Sequence, residues 1–256
     1  MSVIAVFNQK GGVGKTTTTL NVAVAAAHRG LSPIAIDLDP QAHLTLAFGL
    51  GAVSSSGSAY AFFAEGKALS GLLRMTPQRV RVLPASLDLS KVDALHAADP
   101  GISGKLKQGI GALIEETGQR GPIFIDCCPM LGVLTLNALI AADSVLIPVS
   151  ADYLSLQGVH RLDSALNVLE SRLGRKFVRR VLITRFDGRR RLAASVYEEL
   201  SRRYGTNLCT TRIVENVALA ESPMHGHDIF SHAPASPGAR DYRALTEELG
   251  ASGFFN

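Results

Sequence analysis

Short apolar runs at residues 3–7, 33–37, 80–84, 123–126, 144–149 and 178–184 alternate with longer stretches whose apolar residues recur at helical spacing. Runs of Val, Ile, Leu and Phe with few polar interruptions suit strands buried on both faces. Strand and helix in alternation predict an α/β fold, a mostly parallel twisted sheet with helices on both faces. Ligands bind such folds at the carboxyl ends of strands. The weakest stretch is 51–71, which contains Ser54-Ser55-Ser56-Gly57-Ser58 and reads as a surface loop followed by a short helix. It is too short for a domain linker. With no internal repeat or low-complexity tail, residues 1–256 are expected to form one domain.

The first apolar run leads into Lys10-Gly11-Gly12-Val13-Gly14-Lys15-Thr16-Thr17, and a helix-like stretch follows from 18 to 28. A strand, a glycine-rich turn and a helix start leave several backbone N–H groups unpaired and aimed at one point, which phosphate oxygens can occupy. The glycines let the backbone close round the phosphates. Lys15 would place an ammonium beside the β and γ oxygens, and the Thr16 hydroxyl suits Mg²⁺. The common pattern G-x-x-x-x-G-K-[ST] wants glycine at position 9, where this chain has Gln9 followed by a second lysine, Lys10.

Two more strands end in carboxylates, as an Mg-nucleotide site requires. Residues 34–41 deliver Asp37 and Asp39 at i and i+2, on one side of an extended chain, and residues 123–126 end at Asp126. Mg²⁺ retains several waters, so one carboxylate holding those waters is sufficient. Asp126 is therefore assigned to the Mg²⁺ shell, Asp37 to the metal side and Asp39 to the neighbourhood of the attacking water.

Composition narrows the class. The chain is 46% hydrophobic, and no apolar run approaches the roughly 20 residues of a membrane span. The N-terminus lacks a signal-like region, and the closing residues 250–256 hold Phe254-Phe255 but no basic amphipathic helix, so a cytoplasmic protein without a membrane partner is expected. Cys127, Cys128 and Cys209 form neither a disulfide framework nor a metal pair. His225, Gly226, His227 and His232 match no standard zinc spacing. The net charge of +4 hides a local excess: residues 172–191 carry nine lysines and arginines against one acid, Asp187. A run of this kind suits phosphate-backbone contact without base reading, and Arg179, Arg180, Arg189, Arg190 and Arg191 are its candidate DNA-binding residues.

Together the segments KGGVGKTT, DLDPQ (37–41), IDCCPMLGVLTLNAL (125–139), IPVSADYLSLQGV (147–159) and NVALAESP (216–223) resemble the ParA/MinD family of deviant Walker-A ATPases, its ParA (Soj-like) branch most of all. The resemblance implies ATP and Mg²⁺ as cofactors and an ATP-sandwich homodimer. Lys10 would reach the partner's phosphates, Lys15 and Thr16 would take the ordinary loop roles, Asp39 would match the aspartate associated with hydrolysis, and Asp126 the Walker-B position. Catalysis would thus fall to Lys10, Lys15 and Asp39. The family function would be nucleoid-associated positioning or segregation of a cargo, with nonspecific DNA binding and a cargo-linked ParB-like activator.

The chain also departs from the family. Cys128-Pro129 stands where two prolines are common. The pattern I-P-R-N-V-R, with two arginines implicated in DNA contact, is replaced by Ile213-Val214-Glu215-Asn216-Val217-Ala218, so the cations are lost at Glu215 and Ala218. Arg189 aligns with the arginine of the family's D-x-R-T-N-L stretch, and Arg190 and Arg191 add two more. The alternative is a dimerising nucleotide switch that acts on a protein scaffold without DNA. An amide-ligase relative with the same loop would need a further substrate pocket.

Overall fold

The computed structural model describes residues 1–96 and 101–255; residues 97–100 and 256 lie outside it. Among the described residues eight strands form one sheet: β1 (Val3–Val6), β2 (Ile34–Asp37), β3 (Arg74–Met75), β4 (Arg81–Leu83), β5 (Ile123–Asp126), β6 (Ser144–Ser150), β7 (Val178–Phe186) and β8 (Leu208–Val214). Their order is β3-β4-β2-β5-β1-β6-β7-β8. Every pair is parallel except β3 with β4. The helices are α1 (Lys15–His28), α2 (His43–Ala47), α3 (Ala59–Glu65), α4 (Ser90–His96), α5 (Lys105–Thr117), α6 (Val133–Ala141), α7 (Tyr153–Leu173), α8 (Arg191–Tyr204), α9 (Val217–Glu221), α10 (Ile229–His232) and α11 (Pro237–Ala251).

Alternation along each strand divides the interior into two layers. Val3, Ala5, Ile34, Ile36, Ile123, Ile125, Val145, Ile147, Val181 and Ile183 face one core, which α5, α6, α7 and α8 cover with Leu106, Leu134, Leu162 and Val196. Ile4, Val6, Ala35, Phe124, Leu146 and Leu182 face the other, covered by α1, α2 and α11. Both faces of the sheet are therefore dry, which is why its strands read as continuous apolar runs. Phe254 and Phe255 belong to the second core, where Phe255 meets Phe124 edge-on at 5.8 Å between ring centroids.

The six expected strands are present within one or two residues, and the sheet adds β3 and β8. β8 is an edge strand whose polar centre, Thr210-Thr211-Arg212, hides its pattern. Side chains of α11 take the place of a ninth strand. The N–H groups of Thr210 and Thr211 donate to Glu248 at 2.7 and 2.8 Å, and that of Val214 donates to Asp241 at 2.9 Å. These contacts satisfy an edge that would otherwise be open to pairing.

Residues 51–71 correct the expectation of a surface loop followed by a helix. The helix, α3, lies inside the segment, started by the Ser58 side chain accepting from the Tyr60 amide, and it buries Ala59, Ala61, Phe62 and Phe63 in the first core. Four serines in the preceding five residues mask that short apolar patch.

Candidate functional site: a phosphate loop with two lysines

β1 ends at Val6, and the chain turns through residues 8–14 before α1 begins at Lys15. The turn needs left-handed backbone at Gly12 (φ 73°) and Gly14 (φ 87°), where a Cβ would be strained. Its walls are set by contacts to neighbouring strand ends. Asn8 donates through Nδ2 to the Pro148 carbonyl at 2.8 Å and accepts the Lys10 amide on Oδ1 at 3.0 Å. Thr184 Oγ1 donates to the Val13 carbonyl at 2.8 Å. Among the described residues no side chain caps the first turn of α1, so its amides face the loop's concavity with the positive end of a 14-residue helix behind them.

An ammonium, two hydroxyls and two carboxyls converge at this end of the sheet. Lys15 Nζ donates to the Lys10 carbonyl at 3.0 Å. Burial lowers the Lys15 ammonium below its ordinary value, partly offset by Asp126 and Asp39. Thr16 Oγ1 donates to Asp126 Oδ2 at 2.7 Å, and Thr19 Oγ1 approaches Asp126 Oδ1 at 3.4 Å. Asp126 and Asp37 are register partners across β5 and β2. Burial raises both carboxyls; for Asp126 the neighbouring Asp37 adds to the rise, and for Asp37 the hydrogen bonds from Thr45 and the Asp39 amide oppose it. Two buried carboxylates side by side favour keeping a proton or gaining a cation.

The aspartates are not equivalent. Asp37 is fully buried and accepts from Thr45 Oγ1 at 2.6 Å, the Thr45 amide at 2.9 Å and the Asp39 amide at 3.1 Å. It thereby ties the start of α2 to the end of β2. Asp39 is half-buried on the loop beyond, accepting from the Gln41 amide at 2.9 Å. Asp126 is the carboxylate in direct contact with the loop's Thr16. The hard oxygen set of Thr16 and Asp126 fits Mg²⁺. Among the described residues no three His, Cys, Asp or Glu side chains form a metal cage. Thr16 and Asp126 are the side chains that would hold Mg²⁺ here.

Lys10 is committed elsewhere. Its Nζ lies 2.7 Å from Asp152 Oδ1 and 2.8 Å from Ser155 Oγ, at the start of α7. Asp152 also caps that helix by accepting the Ser155 amide at 2.9 Å. Burial raises the Asp152 carboxyl, but hydrogen bonds from Lys10, Ser150 and Ser155 outweigh it and hold the group well below the usual carboxylate range. Sequence reasoning missed Asp152, Ser155, Asn8 and Thr184. The D-x-x-S spacing at 152–155 was a visible helix-start signal.

The basic run at 172–191 is not one surface. β7 passes through it, so Arg179 and Arg180 sit near the strand's start, and Arg189, Arg190 and Arg191 lie beyond its end, about 20 Å or more away at strand rise. Arg179 is largely covered and ion-paired to Asp163 at 3.4 Å and Glu170 at 2.9 Å. Arg180 donates to the Thr206 carbonyl. Neither joins the Arg189–Arg191 cluster, because the length of β7 lies between them. A cleft of about 850 Å³, lined by Glu170, Arg175, Lys176, Phe177 and Arg179 among others, also lies at the start of β7, away from the phosphate loop.

His225 and His232 stack their rings 5.5 Å apart. No helix among the described residues is long and apolar enough to cross a membrane.

The family profile described as AAA domain matches residues 1–178. The chain is 39% identical over 249 residues to the chromosome-partitioning ATPase Soj of Thermus thermophilus, covering 96% of this chain and 94% of that protein. It is 33% identical over 253 residues to the sporulation initiation inhibitor protein Soj of Bacillus subtilis, covering 98% and 99%. Among solved structures, cobyrinic acid a,c-diamide synthase from Mycobacterium smegmatis, with a bound ATP analogue and magnesium, superposes with a TM-score of 0.81 at 28% identity over 99% of this chain and 97% of that one. A deviant phosphate loop with two lysines, an eight-stranded sheet and similarity over nearly the whole chain lead to one conclusion: the chain belongs to the ParA/MinD family of P-loop ATPases, in its ParA/Soj branch.

Proposed function

We propose that the protein is an Mg²⁺-dependent ATPase that works as a partitioning switch, pairing with a second copy around ATP, binding DNA without reading its sequence, and releasing it when a cargo-linked ParB-like protein stimulates hydrolysis. The supporting observation is the division of labour between the two lysines. Lys15 is buried under the loop and turned onto the Lys10 carbonyl, whereas the Lys10 ammonium is partly exposed and held by Asp152 and Ser155. A cation at the mouth of the loop can exchange Asp152 for a phosphate of a facing subunit.

In this reading the amides of residues 11–17 and Lys15 hold the phosphates, and Thr16 and Asp126 hold the metal side with Asp37 behind them. Asp39 positions the attacking water, and Lys10 completes the partner's site. Thr16 and Asp126 would hold Mg²⁺, and the chemistry it would supply is neutralisation of the charge that develops on the phosphates. A cation supplied by a partner subunit acts as arginine fingers do, where rate effects run to about 10³–10⁵. Nucleotide state and subunit pairing then become one equilibrium. The Soj relative of Thermus thermophilus carries chromosome partitioning in its name, which supports the segregation role.

A second reading, a switch on a protein scaffold without DNA, draws on the acids among the arginines: Asp187 and Glu215 both pair with the cluster. Sedimentation velocity with and without ATP and Mg²⁺ tests the switch, and gel retardation of duplex DNA under the same conditions separates the two readings. ATP-dependent dimers that retard DNA are expected; a solitary subunit at saturating ATP overturns the switch.

A further inference from the structure

Beyond the end of β7 the basic cluster carries its own anions, and the two are held differently. Asp187 is nearly covered. It accepts from Arg189 Nε at 2.9 Å, Arg189 Nη2 at 3.0 Å and the Arg189 amide at 3.1 Å, with Arg190 Nε at 3.3 Å. These contacts make Asp187 part of the turn that leads into α8. Glu215 is 42% exposed and spreads its two oxygens over two arginines, Oε1 to Arg185 Nη2 at 3.4 Å and Oε2 to Arg190 Nη2 at 3.5 Å. Both separations exceed the 2.7–2.9 Å or so of a tight charge-assisted bond.

Arg185 reaches this position through an unusual backbone. It has φ 51°, a left-handed conformation that a non-glycine residue rarely adopts, and it falls where the β7–β8 register shifts between Ile183 and Phe186. Irregularities of this kind re-aim a side chain and cluster at functional sites. Glu215 is brought opposite by its amide, which donates to the Phe186 carbonyl at 3.1 Å. Next to them the Arg212 guanidinium lies 4.7 Å from the rings of both Phe186 and Tyr197. The result is one loosely bound carboxylate held between two exposed guanidiniums.

We propose that Glu215 stands in for a nucleic-acid backbone phosphate: in the DNA-free protein its carboxylate fills the cleft between Arg185 and Arg190, and duplex DNA binds there when a phosphodiester displaces it. The inference rests on the DNA-binding reading above and deepens it. A phosphodiester matches a carboxylate in carrying one negative charge over two oxygens, so the exchange leaves both arginines neutralised. Exposed ion pairs of this kind hold weakly. The displaced Glu215 stays beside the DNA as an opposing charge, so it sets the affinity below what the arginines alone would give. Arg185 becomes a DNA contact, and Glu215 a built-in competitor.

The test compares binding of a labelled mixed-sequence DNA duplex across a salt series, with ATP and Mg²⁺ present. The proteins are the wild type, Glu215→Gln, Arg185→Gln with Glu215→Gln, and Glu65→Gln as a charge control on α3 beside β4, toward the opposite edge of the sheet. Nucleotide binding by each variant confirms the fold. Glu215→Gln is expected to bind about three- to tenfold tighter, Glu65→Gln to match the wild type, and the double variant to lose the gain. Unchanged or weaker binding by Glu215→Gln, with salt-dependent binding by the wild type intact, overturns the inference. So does a double variant as tight as Glu215→Gln, which would show that Arg185 takes no part in the gain, or a Glu65→Gln that gains as much as Glu215→Gln, which would assign it to bulk charge. If neither wild type nor Glu215→Gln binds the duplex at low salt, the DNA-binding reading fails and the inference falls with it.

Discussion

Lys10 Nζ sits 2.7 Å from Asp152 Oδ1, so the residue proposed to reach a second subunit is latched to its own α7. Both side chains are partly exposed, and a pair of this kind is worth about 0–1 kcal/mol. The latch therefore biases the lysine and leaves it free to move.

Removing either end separates latch from function. Lys10→Ala should retain ATP binding and lose ATP-dependent dimerisation. Asp152→Ala should dimerise at several-fold lower protein concentration, since about 1 kcal/mol is a factor near five. Sedimentation at fixed ATP checks both, and unchanged pairing in Lys10→Ala would count against the cross-subunit role.

Asp39→Ala should trap the ATP-bound dimer, because the side chain lies on the loop beyond β2 and its removal leaves the Thr16–Asp126 contact untouched. Phosphate release should fall by about 10²-fold or more, as for loss of a positioned catalytic group. Wild-type turnover in this variant would remove Asp39 from the reaction.

DNA affinity should fall steeply with salt. Each neutralised phosphate contributes about −0.9 to the slope of log K against log salt, so about five contacts across a dimer give about −4 to −5. Replacing Arg189, Arg190 and Arg191 together should flatten that slope, whereas Arg180→Gln at the other end of β7 should leave it unchanged. A flat slope in the wild type would leave the scaffold reading.

The three thiols should be slow to react in the native protein. Burial raises Cys127 and Cys128 above the ordinary thiol value and pushes Cys209 up to about 12. A raised value means less thiolate at any pH below it, hence slower reaction than a free cysteine at pH 8 and a rate still climbing above pH 9. A chromogenic disulfide reagent should find three thiols only after unfolding; a fast native thiol would contradict this burial.

The fold class, six of the sheet's strands and the phosphate loop were legible in the chain because they rest on local chemistry. Val3 to Val6 is short, rich in β-branched residues and followed closely by a glycine-rich turn, which favours a strand buried on both faces, and Gly12 and Gly14 can take up left-handed backbone at little cost. Asp37 and Asp126 could be read as strand-end acids for the same reason. Position across the fold was another matter. Nothing local couples Lys10 to Asp152, 142 residues away, or lays Glu215 between Arg185 and Arg190. Nor does the spacing of Arg179 and Arg189 reveal that one strand holds them at opposite ends of the sheet. Those relationships come from strand register and crossover packing, which act between distant segments, so only the folded chain decides which charges meet.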